Sequence, residues 1–217
     1  MGKNALAIMF KVPEPGKVKT RLVPPLTYGQ ASGLYECFLK DIFNTARGVA
    51  GADIYGAFTG RVNGDGDYGV ELFEQEGLNL GERIYNVFRH LFQRGYQKIA
   101  VIGSDSPDLP PEYIREAFGL LASASLVLGP AKDGGYYLIA MDRLRREPFN
   151  EIPWSTDKVL EETLKRAQEA SIPFKLLKLW HDIDTVQDLM LLNGKAAPIS
   201  LDFLKKLEFP LKPEFFQ

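Results

Sequence analysis

Ile99-Ala100-Val101-Ile102-Gly103-Ser104-Asp105-Ser106-Pro107-Asp108-Leu109-Pro110 sets four apolar residues directly against a polar stretch with two carboxylates. A short apolar run bounded by Gly and Pro reads as a buried strand. The acids then stand just past its carboxyl end, where open α/β sheets bind their ligands. Carboxylates in such a place are costly unless a cation or hydrogen bonds compensate them. A divalent metal holding a phosphorylated ligand would supply that compensation.

Working outward, strands and helices alternate. Ala5 to Phe10 predicts a first strand, followed by a loop rich in Pro, Gly and Lys that runs to Pro25. Thr27 is placed to cap a helix whose apolar residues, Ala31, Leu34, Tyr35, Phe38, Ile42 and Ala46, fall at helical spacing before a stop at Gly48. Strands are predicted at 53–58 and 70–73, a helix from Leu80 to Gly95, and a helix opening at Pro111, a favoured first position, and running to about Ala122. Strands at 126–128 and 136–140 follow, then a helix over 155–170, a strand over 174–179 and a short helix over 185–192. This alternation implies a mostly parallel sheet with crossover helices in three layers. One domain over 1–217 is expected, with 196–217 as a C-terminal tail that wraps the surface or joins an interface.

Composition narrows the partners. The chain has 217 residues, 45% hydrophobic and 25% charged, with a formal charge of −2. It has no long basic run, so duplex nucleic acid, whose affinity comes from many phosphate contacts, is not an expected partner. The single Cys37 cannot form an internal disulfide and reads as a small buried hydrophobe. The N-terminal apolar run is too short to span a bilayer, and charged loop residues follow it, so a cytoplasmic location is expected.

Five motifs carry chemistry, each with a plainer alternative. The loop from Lys11 to Leu22 offers Lys11, Gly16, Lys17, Lys19 and Arg21, a glycine turn with cations that suits a pyrophosphate or forms a solvated surface loop. It is not a Walker A loop. Asp105 and Asp108 are hard oxygen donors suited to Mg²⁺ or Mn²⁺, although Asp108 also reads as a cap for the next helix or turn. Asp133-Gly134-Gly135 is a hairpin turn by default, or a place where substrate approaches the backbone. Asp182 and Asp184 stand at another strand end, either completing a metal site or, in the case of Asp184 or Thr185, capping a helix. In Pro153-Trp154-Ser155-Thr156, Ser155 or Thr156 is expected to cap the following helix, while Trp154 stacks on a ligand or fills the core. Gly64-Asp65-Gly66-Asp67-Tyr68-Gly69 imitates a dinucleotide fingerprint but reads as a hairpin loop, since a strand follows it and its acids would repel a pyrophosphate. The overlapping calcium-loop pattern fails at Tyr68. With only His90 and His181, zinc hydrolase motifs are absent, as is Gly-x-Ser-x-Gly.

Taken in order, Lys-x-Pro-x-Pro-Gly-x-Val-Lys-Thr-Arg-Leu, Gly-Ser-Asp-Ser-Pro-x-Leu, Gly-Pro-x-x-Asp-Gly-Gly-Tyr-Tyr-Leu, Trp-Ser-Thr and Asp-x-Asp-Thr-x-x-Asp-Leu resemble the bacterial radical-SAM/selenodomain-associated transferases of type 1. That group is glycosyltransferase-A-like and falls in the nucleotide-diphospho-sugar transferase superfamily. The motifs are also similar to those of phospholactate and molybdenum cofactor guanylyltransferases. The resemblance spans Ala5 to Leu192 and implies a Rossmann-related fold. It implies transfer of a glycosyl group from a nucleotide-diphosphate sugar to a small acceptor, with nucleotidyl transfer releasing pyrophosphate as the alternative. A nucleotide-binding module without catalysis is the third reading. By the resemblance, Lys19 and Arg21 contact nucleotide phosphates, Asp105 with Asp184 or Asp182 meets a divalent cation, and Asp133 orients or deprotonates an acceptor hydroxyl. Gly134, Gly135, Trp154 and Ser155 lie on the acceptor side, and Gln75, Leu80, Gly81 and Arg83 match a base- or substrate-contacting segment. The usual Asp-x-Asp of sugar transferases is here Asp105-Ser106-Pro107-Asp108, which keeps nucleotidyl transfer open. A homodimer is compatible with these features but not required by them.

Overall fold

The computed structural model describes residues 3–61 and 68–209. The hairpin reading of 64–69 therefore falls largely outside the described residues, as does the end of the tail. Strands β1 (Asn4–Lys11), β2 (Ala52–Thr59), β3 (Glu71–Glu74), β4 (Lys98–Ile102), β5 (Leu126–Pro130), β6 (Tyr136–Met141) and β7 (Phe174–Leu176) form one sheet in the order β3-β2-β1-β4-β6-β5-β7. Neighbours pair in parallel except β6, which runs antiparallel to both β4 and β5. The Asp133-Gly134-Gly135 segment is the hairpin that reverses the chain, closed by Ala131 N–H to Gly135 O at 3.0 Å and Gly134 N–H to Ala131 O at 3.2 Å. The mostly parallel α/β/α expectation holds.

Side-chain alternation along the strands divides the core into two layers. Leu6, Ile8, Phe10, Ala100, Ile102, Leu138 and Ala140 face the layer containing helices α1 (Tyr28–Arg47) and α3 (Pro111–Leu120). Ala5, Ala7, Met9, Ile99, Val101, Ile139 and Met141 face α2 (Leu80–Gln93) and α4 (Val159–Glu169). Near-continuous apolar strands are what a sheet covered on both faces requires. Helix α1 opens with a reciprocal cap: Thr27 Oγ1 accepts from Gln30 N–H at 3.2 Å, and Gln30 Oε1 from Thr27 N–H at 2.8 Å.

Three expectations change. Helix α4 begins at Val159, so neither Ser155 nor Thr156 is its N-cap. Ser155 has φ 66°, in the left-handed region, and Thr156 Oγ1 instead donates to Pro153 O at 2.7 Å. The 185–192 segment holds only a 3-10 turn at Asp188–Leu191. There the Asp188 carboxylate accepts from Thr185 N–H at 2.7 Å and Thr185 Oγ1 at 2.8 Å, which folds the chain onto a side chain. In the tail, Pro198–Lys206 is a fifth helix, α5, with Ser200, Leu201 and Leu204 buried. Its first N–H groups find the buried Asp41 carboxylate of α1, which accepts from Ile199 N–H at 3.1 Å and Ser200 N–H at 2.8 Å.

Candidate functional site

The carboxyl ends of β1, β2 and β4, the β5–β6 hairpin and the segment after β7 open onto one cavity of about 710 Å³. It is large enough for a nucleotide-sized ligand. Lys11, Lys17, Lys19, Arg21, Arg83, Asp105, Asp133, Gly135, Trp154, Ser155, Asp182 and Asp184 all line it. The structure thus brings the five motifs together. Gly16, Gly81 and Gly134 stand off the wall and shape it instead. Gly16 forms the turn between Glu14 and Lys17, whose side chains pair at 2.8 Å. Gly81 lies beneath the indole of Trp154, where an added Cβ would come within 2.4 Å of the ring. Gly134 has φ 88°, and a Cβ there would meet Asp157 O at 2.2 Å, so this hairpin and the loop before α4 can approach only without a side chain.

The centre is ionic. Lys19 Nζ donates to Asp105 Oδ1 at 2.5 Å, Asp184 Oδ1 at 2.8 Å and the Ile183 carbonyl at 2.7 Å. Its side chain is 3% exposed, against 48% for that of Asp105 and 40% for that of Asp184. Burial disfavours the ammonium, but the two facing carboxylates outweigh it and hold the lysine pKa above its ordinary value. Lys19 is therefore tied to the acid pair and, in this arrangement, does not reach outward. Arg21 Nη1 lies 3.9 Å from Asp184 Oδ2 with its side chain 70% exposed, at the rim. Arg83 Nε donates to Gly77 O at 3.1 Å.

The two acidic loops are stitched to one another. Asp105 O accepts from Ile183 N–H at 2.7 Å, and Ser106 Oγ donates to His181 O at 3.0 Å and Asp182 Oδ1 at 2.7 Å. Burial, followed by the charges of Asp105, Asp133 and Asp184, pushes the Asp182 carboxyl up to about 6, while the Ser106 bond opposes the shift. Asp108 caps no helix through its side chain, since α3 starts behind Pro110. Its buried carboxylate accepts from Asn193 N–H at 3.0 Å and lies 3.3 Å from His181 Nε2, away from the cavity wall. Trp154 meets Tyr136 edge-to-face at 6.5 Å.

The donor chemistry suits a hard divalent cation: two carboxylate oxygens and a main-chain carbonyl converge on the point held by the Lys19 ammonium. Among the described residues, no three His, Cys, Asp or Glu side chains gather as a protein-only ligand set. A cation such as Mg²⁺ commonly takes one or two carboxylates and completes its shell with phosphates and water.

Thr59, Tyr35 and Asp157, which belong to no sequence motif, also line the cavity, as do Thr20 and Ser104, which lie within motifs but were given no role. Tyr35 could have been found only through the fold. It sits in the apolar stripe of α1, yet its hydroxyl lies 2.6 Å from Ser104 Oγ and accepts from Lys11 N–H at 3.2 Å, tying the β1 end to the β4 end.

An α/β sheet with cations and acids converging at its carboxyl edge is the kind of place where such sheets bind their ligands. The crystal structure of a "putative nucleotide-diphospho-sugar transferase" from Desulfovibrio desulfuricans G20 is 32% identical, with 96% of each chain covered and a TM-score of 0.84. The chain belongs to this nucleotide-diphospho-sugar transferase family, and it is an enzyme. The model of a bacterial family described as uncharacterised, DUF2064, matches residues 50–156. The fold alone is shared with CMP:2-keto-3-deoxy-manno-octonic acid synthetase complexed with CTP, at 12% identity, TM-score 0.56, and 92% and 99% coverage of the two chains. It is likewise shared with Rv0371c of Mycobacterium tuberculosis H37Rv complexed with manganese, at 13% identity, TM-score 0.52, and 85% and 95% coverage. Among curated proteins no sequence matches.

Proposed function

We propose that the protein transfers a glycosyl group from a nucleoside-diphosphate sugar to a hydroxyl or amine acceptor, with Mg²⁺ or Mn²⁺ as the divalent cation. The observation that carries this reading is the charge polarity of the cavity. Lys11, Lys17, Arg21 and Arg83 line it from the β1 loop and α2, the side suited to a diphosphate. Asp133, Asp157 and Asp182 line it from the β5–β7 side, where no lysine or arginine among the described residues joins the wall. That side repels phosphate and suits a neutral or cationic acceptor. Trp154 and Tyr136 offer it apolar faces. Asp133, braced through Gly135 N–H to Asp133 Oδ1 at 2.9 Å, is placed to orient the acceptor and take its proton. Asp105 and Asp184 would hold the cation, with Asp182 behind them. When bound, the cation would neutralise charge developing on the departing diphosphate.

Nucleotidyl transfer is the second reading. One observation favours it: Asp108 turns away from the cavity, so the β4 end supplies one carboxylate to the wall where an Asp-x-Asp would supply two. The released product separates the readings. Incubation with a panel of nucleotide sugars and nucleoside triphosphates, analysed by anion-exchange chromatography, should yield nucleoside diphosphate. Pyrophosphate as the sole product would replace the first reading with the second. Within the family, the five ordered motifs support membership of the radical-SAM/selenodomain-associated type 1 transferases. No helix among the described residues is long and apolar enough to cross a membrane, and a cytoplasmic setting fits the reading.

A further inference from the structure

We infer that Lys19 is the standing counter-cation of the Asp105–Asp184 pair, and that a divalent cation enters this seat only together with a phosphorylated ligand that draws the ammonium away. The inference rests on the proposed function for the identity of the site, but not on turnover. An ammonium has three N–H donors. All three of Lys19 are taken, by Asp105 Oδ1, Asp184 Oδ1 and the Ile183 carbonyl, at 2.5, 2.8 and 2.7 Å. The seat is thus filled by a protein group whose shell is complete.

The surroundings hold the lysine there. Its side chain is 3% exposed, with Nζ 5.8 Å from the ring centre of Tyr35 and 5.6 Å from that of Phe38. Its backbone, at φ 46°, is left-handed immediately before the 3-10 turn Thr20–Leu22, which sets the direction of the side chain. A metal ion arriving alone would have to expel this ammonium and leave a buried charge without a partner, which is strongly unfavourable. A diphosphate changes the balance, because its oxygens give the ammonium new anionic acceptors while the vacated carboxylates receive the metal. By linkage, phosphate ligand and metal must then raise each other's affinity.

The test reads metal binding directly. Mn²⁺ is titrated into the full-length protein without any nucleotide and followed by the electron paramagnetic resonance signal of free Mn²⁺. The wild type should bind it no more tightly than millimolar. Lys19→Met, which keeps the stem and removes the charge, should bind at least tenfold tighter, and adding Asp105→Asn to it should remove that gain. Micromolar Mn²⁺ binding at the Asp105-dependent site of the wild type would overturn the inference, and this arm needs no Lys19 variant to fold. A folded Lys19→Met protein with no gain would overturn it as well. A Mn²⁺ gain in Lys19→Met, with no nucleotide sugar consumed by the wild type, would sink the proposed function and leave this inference standing.

Discussion

Asp182 carries a testable cost of building the acidic side of the cavity. Its folded pKa, about 6, lies above the ordinary carboxyl value, so the folded state holds the proton more tightly than the unfolded chain. The sign follows: the neutral acid is accommodated fully below about pH 4, and stability falls as pH rises through 6. Asp182→Asn keeps an oxygen for Ser106 Oγ and removes the charge. It should stabilise the protein by about 2–3 kcal/mol at pH 8 and by little at pH 4, read from denaturation midpoints at the two pH values. Equal effects at both would contradict the burial argument. Gly81→Ala makes a second prediction. A methyl group there meets the Trp154 ring, and overpacking of this kind costs about 1–3 kcal/mol. The emission of Trp154 should shift, and ligand affinity should fall through the displaced indole. Asp105, Asp182 and Asp184 were legible in the sequence as acids at strand ends, and Asp133 as the acid of a hairpin turn. The lysine that binds two of them was legible only as a phosphate contact, because Lys19 and Asp184 are 165 positions apart and nothing local links them.

The elements show where local reading works and where it stops. Helix α1 was readable at both ends because Thr27 and Gly48 are its own neighbours in sequence. Helix α4 starts late because Gly134, on a distant hairpin, requires the 155–158 segment to fold closely against it, and Leu160 N–H bonds to Gly134 O at 2.9 Å. Helix α5 displays Pro198 at its start, a recognised signal, but the Ala197 before it offers no side-chain cap. The cap comes from Asp41, 158 positions away from Ile199. Asp41→Ala leaves those N–H groups and the Ser200 hydroxyl without their acceptor, which should cost about 1–3 kcal/mol in chemical denaturation. It should also make α5 the first site of proteolysis. Unchanged resistance at α5 would show that apolar packing on α1 suffices to hold it.

For the whole molecule, the reversed strand β6 decides what the cavity can be. In a wholly parallel sheet β6 would begin at the opposite edge and carry Asp133 there with it. Because β6 runs against β4 and β5, its hairpin with β5 stands at the carboxyl edge and brings Asp133 to face the β1 loop. The reversal was legible in the Asp133-Gly134-Gly135 turn, but the strand order was beyond the sequence, since apolar alternation records burial and not which strands are neighbours. The resulting division, cations on one side and carboxylates on the other, is the basis for placing a diphosphate and an acceptor in one cavity. Calorimetric titration of nucleoside diphosphates and nucleotide sugars with Mn²⁺, into the wild type and an Arg21→Ala, Arg83→Ala double variant, tests this most directly. At least one ligand should bind the wild type. Removing the two guanidinium groups should weaken that binding by about 1.5–3 kcal/mol for each hydrogen bond they donate to phosphate, tenfold or more in Kd. Equal binding by both proteins, or no binding of any nucleotide by the wild type, would contradict it.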